Sequence, residues 1–288
     1  MKLKKQTILL LIILFGLNTS FAQIKCKTEF SSAYYTYAQN RTQIILSQIS
    51  QDSVISLPQI NKTLSIAIHV IKDSLGDVNV DINDIYDEIN ITNDLFKPIN
   101  LSFRVCSVDS IDNFQYDDLF HNYASSLREE QELINQFYVD SIINIYAITK
   151  FSQITACKSC KNYMIVRKDY LYTIPHLMGH IFGLLHTNGN GNHAELVNGS
   201  NCLTTGDFIC DTQADPEYNP ITSVLWYHEN NCELFSPYAY SLKDPNDDWY
   251  MIPSTNYMSL YSNCWCLLTN FQYRIIAYEF YLHKTYLR

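Results

Sequence analysis

The sequence has little positive charge. Of its 288 residues, 20 are lysine or arginine and 29 are aspartate or glutamate, which gives a net charge of −9. Proteins that bind nucleic acids neutralise phosphates with lysine and arginine, so this balance argues against a nucleic-acid partner. No internal repeat or low-complexity tract is evident, and beyond the N-terminus no apolar run is long enough to cross a membrane.

The N-terminus has the pattern of a secretory signal peptide. Lysines precede ten largely apolar residues, 8–17, and the stretch from Ser20 to Ala22 offers a small-x-small cleavage site. A spanning helix needs roughly 20 residues, so an uncleaved anchor is the weaker alternative. Cleavage after Ala22 would leave 17 basic and 29 acidic side chains, a net charge of −12. We therefore expect residues 1–22 to be removed from a secreted, periplasmic or extracellular protein without a transmembrane segment.

The periodicity of the remaining chain predicts one domain of the α/β (α+β) class. Residues 23–60 are polar and form either an N-terminal extension or a pro-segment, and residues 61–288 form the domain. A β-branched run predicts a strand at 63–71, and helical spacing behind an aspartate cap predicts a helix at 81–96. Further strands are expected at 99–108 and 141–149, with a short edge strand at 162–168. This order predicts a mixed twisted sheet with helices in an upper lobe.

The composition changes after residue 186. The chain as far as residue 263 is rich in Asn, Asp, Pro, Tyr and Cys, which indicates an irregular lower lobe, and residues 268–282 read as a closing helix. Nine cysteines fit an oxidising compartment. We expect two disulfide bridges among four cysteines of this lobe, in any of three connectivities. These four are Cys202, Cys210, Cys232 and Cys264. The C-x-x-C pair of Cys157 and Cys160 is expected to form either a tight bridge or half of a metal site.

Three of the eight histidines lie within eleven residues. His176 and His180 are four residues apart, so on a helix both can point at one ion. Gly183 can end that helix in a left-handed conformation and turn the chain back, which would bring His186 to the same ion. Three histidines with a fourth position left open are typical of catalytic zinc, so the sequence predicts one Zn²⁺ per chain. It makes no prediction about calcium.

This histidine spacing, H-x-x-x-H-x-x-G-x-x-H, is the metzincin signature, and the chain resembles the pappalysin-type metzincin metallopeptidases. The resemblance includes the stretches CLTTGDFICDTQADPE, NYMSLYSNC and LTNFQYRII after the histidines, and KCKTEF, IAIHVI and NIYAIT before them. It implies a two-lobed metzincin-like domain in which the three histidines bind zinc. It also implies that Met258 is the Met-turn residue beneath them. Cys26 resembles a cysteine that caps the zinc in latent members, but the usual following glycine is Lys27 here, and the alternative is an unpaired or intermolecular cysteine.

The sequence departs from this family at two catalytic places. The general-base glutamate would stand at position 177, which is Leu177. Loss of a general base typically costs on the order of 10²–10⁴ in rate. The family's tyrosine two places after Met258 is replaced by Leu260, which leaves Tyr261 as a weak candidate. Glu195 is a weak candidate for a substitute base. We expect the side chain of Leu177 to face the cleft beside the metal.

Three functions are compatible with these residues. The first is an exported pseudopeptidase that binds a peptide or protein in its cleft. The second is an active zinc metalloendopeptidase with a substitute base, and the third is a zinc-capture protein. Whether the protein is an enzyme at all is therefore left open by the sequence, with hydrolysis expected to be weak or lost.

Overall fold

The computed structural model describes residues 26, 30–50, 56–119, 123–151, 155–156, 162–189, 195–216, 242–251, 253–260 and 264–288. Within these ranges the fold is a mixed α/β architecture, as the sequence predicts. Within the same ranges, no helix combines the length and the apolar character that crossing a bilayer requires.

One five-stranded sheet organises the first half of the domain. Its strands are β1 (Lys62–Ile71), β2 (Leu101–Ile111), β3 (Ile143–Ile148), β4 (Thr155–Ala156) and β5 (Tyr163–Arg167). The order across the sheet is β2-β1-β3-β5-β4, and all neighbours are parallel except β4, which is antiparallel to β5. The predicted strands at 63–71, 99–108 and 141–149 are confirmed. The predicted edge position of residues 162–168 is wrong, because β5 pairs with β3 on one side and β4 on the other.

Five α-helices accompany the sheet within the described ranges. They are α1 (Ser32–Ile49), α2 (Ile82–Phe96), α3 (Tyr123–Phe137), α4 (Ile174–Ile181) and α5 (Asn270–Glu279), with a π-helical turn at Phe280–Lys284. Asp81 caps α2 by accepting a hydrogen bond from the backbone N–H of Asn83. Thr269 and Gln272 form a capping box at the start of α5. Both helices were predicted, and these caps explain where they begin.

The sheet separates two apolar clusters because alternate side chains of a strand point to opposite faces. Leu64, Ile66 and Ile68 of β1 belong to the larger cluster, which includes buried side chains of α2, α4 and α5. Tyr146 and Ile148 of β3 belong to the smaller cluster, which includes Leu133 and Ile134 of α3. The metal-binding candidate α4 therefore packs on the more extensively covered face of the sheet.

The described residues between α4 and α5 form no helix or strand, as expected for the lower lobe. In the described parts of this stretch, pairing is limited to isolated bridges such as Lys243 with Trp249 and Asn256 with Leu267. A disulfide joins Cys202 to Cys210, with 5.1 Å between their Cα atoms. This disulfide identifies one of the two bridges expected among the four cysteines of the lower lobe. Cys264 is also disulfide-bonded, whereas Cys232, Cys157 and Cys160 lie outside the described residues.

A buried lysine ties three strand ends together. The Lys168 ammonium, directly after β5, donates to the backbone carbonyl of Ile71 at the end of β1 (2.6 Å) and to the hydroxyl of Thr149 after β3 (3.1 Å). It also pairs with the Asp117 carboxylate at 2.9 Å, and both side chains are almost fully buried. Because neither charge reaches water, each depends on the other for stability.

Lys168→Met should destabilise the fold by ~3–5 kcal/mol, because it leaves the Asp117 carboxylate buried and unpaired. Urea unfolding monitored by circular dichroism measures this change. Lys150→Met is the matched control, since Lys150 pairs with Asp118 at 3.1 Å but is two-thirds exposed. The control should cost less than ~1 kcal/mol. Equal losses in the two variants would contradict the role given to the buried pair.

Candidate metal centre

Helix α4 and the turn after it bring three histidines to one point. His176 and His180 lie one turn apart on α4, and both are almost completely buried. The helix ends at Ile181, and Gly183 follows its C-cap with a φ of +83°, the left-handed conformation that glycine adopts without strain. The Leu184 N–H donates to the carbonyl of Gly179, which closes the turn and directs His186 back to the other two rings. The sequence prediction of a shared site for these histidines is therefore matched by the backbone.

The imidazole nitrogens converge on a common centre. The Nε2 atoms of His176, His180 and His186 lie 3.0–3.3 Å from one another. The Sγ atom of Cys26 lies 3.5 Å from Nε2 of His180, and the four ligand atoms form a group in which no two are more than 4.8 Å apart. In this arrangement the Cys26 thiol lies at the fourth ligand position, which the histidine spacing alone leaves open.

The hydrogen-bond partners of the Nδ1 atoms leave the Nε2 atoms of two histidines able to bind a metal. Nδ1 of His176 lies 2.6 Å from the carbonyl of Tyr257, and Nδ1 of His180 lies 2.8 Å from that of Leu184. A carbonyl can only accept a hydrogen bond, so each Nδ1 carries the proton and each Nε2 presents a lone pair to the centre. Burial lowers the pKa of His176 to about 4 and that of His180 well below its ordinary value, so both rings are neutral at pH 7.

Converging lone pairs repel one another unless a cation lies between them, and the spacing fits zinc. A tetrahedral ion with Zn–N of about 2.0–2.1 Å and Zn–S of about 2.3 Å places its nitrogens about 3.3–3.4 Å apart and a nitrogen and sulfur about 3.5–3.6 Å apart. The three nitrogen–nitrogen distances of 3.0–3.3 Å and the sulfur–nitrogen distance of 3.5 Å to His180 agree with this tetrahedron to within a few tenths of an ångström, and all four atoms lie within 4.8 Å of one another. The three histidines and Cys26 could therefore hold one zinc ion.

Aromatic rings pack against the histidines of the centre. Trp265 stacks on His176, with 5.2 Å between ring centroids and 12° between planes, and His186 also stacks on His176, with 5.2 Å between centroids. The Trp265 indole N–H donates to the carbonyl of Ser259, which fixes the stack. The ring centroid of Phe30 lies 5.7 Å from that of His180. Sequence reasoning missed Trp265, because nothing in its local sequence distinguishes it from a core tryptophan.

Met258 and Leu177 are both fully buried. The Met258 sulfur lies 2.6 Å from where a β-carbon on Gly179 would stand, so a larger residue at position 179 would require Met258 to shift. The Met-turn role that the resemblance implies for Met258 stays a prediction. Leu177 belongs to the same apolar cluster as Cys26 and Met178. The expectation that Leu177 faces an open cleft is not met, because its side chain has no exposed surface.

No carboxylate belongs to the metal group in the described part of the chain. Glu195 is buried with Asp207 and Asp215 instead, and its backbone carbonyl accepts a hydrogen bond from the Tyr250 hydroxyl. Burial, reinforced by Asp215, raises the pKa of Glu195 to about 8. The structure thus places this substitute-base candidate in a separate acidic cluster. Tyr261, the other candidate, lies outside the described residues.

Asp215 connects this acidic cluster to the metal turn, which is the stretch from Gly183 to Thr187 that carries His186. The sequence analysis did not predict this role of Asp215. Its carboxylate accepts hydrogen bonds from the hydroxyls of Thr187 (2.5 Å) and Ser259 (2.8 Å), the residues next to His186 and Met258. The Thr187 N–H donates to the Met258 carbonyl. Burial raises the pKa of Asp215 to about 7 despite these bonds. Asp215 therefore holds the metal turn against the Met258 segment.

Comparison with known proteins gives limited information. No protein-family model matches the sequence, and no curated protein matches it significantly. Among solved structures, the chain is similar to metalloproteinase-II from Bacteroides fragilis, with 12% sequence identity and a TM-score of 0.34. The similarity covers 59% of this chain and 56% of the metalloproteinase, so it spans little more than half of that protein. It is too distant to assign a family or an activity.

The acidic cluster predicts how stability depends on pH. The pKa values of Glu195 and Asp215 are raised in the folded state, to about 8 and about 7. Folding therefore favours their protonated forms, and this stabilisation is full below the unfolded pKa values of about 4 and is lost as pH rises toward 7–8. In buffer without divalent metal ions, the protein should be less stable in urea at pH 8 than at pH 5.5. Glu195→Gln should flatten this dependence, and an unchanged slope would contradict the assignment.

Proposed function

We propose that this protein is an exported pseudopeptidase of the pappalysin type, which binds one zinc ion and does not hydrolyse peptides efficiently. The observation that carries the proposal is the position of Cys26, whose sulfur completes a set of four protein ligands with three histidines. Sites with four protein ligands are typical of structural zinc, whereas catalytic zinc keeps a position open for substrate.

The surroundings of the ligands support the loss of hydrolysis. A bound zinc ion would supply Lewis acidity, but peptide hydrolysis also needs a group that moves protons. Position 177 has no titratable group, and the side chain there is packed in the core. The nearest alternative by sequence, Glu195, belongs to another cluster. The chain thus retains residues that hold a metal and lacks, in its described part, a base beside them.

A peptide or protein is the partner class that we propose. Tyr172 and Leu267 are more than two-fifths exposed, and Tyr172 lies 6.1 Å from Trp265, the residue stacked on His176. Aromatic side chains at a partly exposed rim are enriched in protein contacts. The net negative charge of the chain argues against nucleic acid. Tyr172 lies beside the metal centre, so a peptide can bind this exposed surface without replacing a ligand of the ion.

Metal analysis tests the ligand set. The purified protein should contain about one zinc per chain, and its cobalt-substituted form should show a sulfur-to-cobalt charge-transfer band together with quenching of Trp265 fluorescence. Cys26→Ser should remove that band while the three histidines still hold the metal, with weaker affinity. Adding His180→Ala to Cys26→Ser should lose the metal, because two imidazoles make a much weaker site. Unchanged metal content in this double variant would refute the assignment.

Peptide hydrolysis tests the missing base. The wild-type protein and Cys26→Ser should both cleave a peptide library slowly or not at all. Adding Leu177→Glu to Cys26→Ser should raise the rate, by at most ~10²–10⁴, because the position is buried and the oxyanion side has Leu260. Leu177→Gln in the same background is the control, since it matches the shape without a base. Ordinary peptidase rates in the wild type, lost in Glu195→Gln, would identify an active enzyme instead.

A further inference from the structure

The segment that carries Cys26 is fastened to the domain by a buried ion pair. Cys26 and residues 30–50, called here the N-terminal arm, include helix α1. Arg41 of α1 is 1% exposed, and its Nη1 atom lies 2.6 Å from the Glu279 carboxylate in α5. Glu279 is itself buried and also accepts a hydrogen bond from the Tyr37 hydroxyl. Removing the arm would leave Glu279 as an uncompensated buried charge, which is strongly unfavourable.

The same arginine is bonded to the metal turn. Nη1 of Arg41 donates to the carbonyl of Gly183 at 3.0 Å, and the Tyr34 hydroxyl donates to the same carbonyl at 3.1 Å. A β-carbon on Gly183 would lie 2.9 Å from this Arg41 nitrogen and 2.7 Å from Cγ of Glu279. The arm thus fits closely against the turn between the second and third histidines, and it helps to fix the backbone that positions His186.

Apolar contacts connect the arm to a third part of the chain. Ala38 forms a buried cluster with Leu185 and Phe208, against which Phe30 and Tyr35 pack. Leu185 precedes a metal ligand, and Phe208 lies within the loop closed by the disulfide between residues 202 and 210. The Gln39 side chain donates to the carbonyl of Leu203 in the same loop. Removal of the arm would expose this cluster to water.

We propose that the N-terminal arm is a permanent part of the folded protein and keeps Cys26 as a constitutive fourth ligand, so that the metal centre is not opened by removal of a pro-segment. The proposal rests on the zinc binding proposed above. It also decides between the two descriptions of residues 23–60, since an extension that completes the core is not a removable pro-segment. Separation of the arm would take Arg41 from Glu279 and would expose the apolar cluster around Ala38 to water, and both changes oppose release of the arm.

A nicked protein tests the proposal with every residue of the chain still present. A recognition sequence for a specific protease is inserted after Ser50, and the folded, zinc-loaded protein is cut there. Size-exclusion chromatography and native mass spectrometry then show whether the arm stays. We expect the arm and the zinc to remain with the domain, the cobalt form to keep its thiolate band, and Cys26 to resist alkylation until urea unfolds the chain.

Arg41→Met in the nicked protein should weaken the arm, because it removes the partner of Glu279. Alkylation of Cys26 should become at least ~10-fold faster, since its rate follows the fraction of molecules in which the arm has opened. Gln43→Met is the matched control, as residue 43 lies exposed on the same helix, and it should leave alkylation unchanged.

Two outcomes would overturn the proposal, and they are distinguishable. Release of the arm from nicked wild-type protein, with a folded remainder that keeps zinc and loses the thiolate band, would show a removable pro-segment and leave zinc binding intact. An arm that stays on a protein which binds no zinc before or after cutting would refute zinc binding itself, and with it the ligand role of Cys26.

Discussion

Four electron-pair donors meet in a buried space, and most of the structure around them follows from that constraint. Backbone carbonyls hold the Nδ1 protons of His176 and His180, so the Nε2 lone pairs of both rings must face the centre. Burial keeps these rings neutral and removes the water that would otherwise separate the lone pairs. A cation between these atoms would make such an arrangement favourable. The chain holds these four side chains together through helix α4, the turn at Gly183 and the N-terminal arm.

Three distant segments build this centre. The arm supplies Cys26 and is tethered by Arg41. Helix α4 and the turn after it supply all three histidines and are tethered through Thr187 to Asp215. The segment after Met258 supplies the stacked Trp265. Because the tethers involve other residues than the ligands, the centre is positioned by the fold before any metal binds, which lowers the cost of ordering the ligands on binding.

The sequence predicted what depends on local pattern and missed what depends on distant pairing. The strands, the capped helix α2 and the histidine spacing follow from periodicity within short windows, and all are present. The partnership of Arg41 with Glu279 joins residues 238 positions apart, and a single sequence carries no signal for it. The interior position of β5 was missed for a related reason. Its edge partner β4 is two residues long, too short for any periodic pattern.

The leucine at position 177 is consistent with a closed centre on energetic grounds. A fully buried leucine side chain stabilises a fold by about 1.5–3 kcal/mol relative to an exposed one. A glutamate in the same place would bring a carboxylate out of water, where it is costly unless it is paired. In an active peptidase, the glutamate faces an open cleft and acts on the substrate, and these interactions of the carboxylate offset that cost. When Cys26 occupies the fourth corner and the arm covers the ligands, nothing offsets it, so an apolar residue is the stable choice beside these histidines.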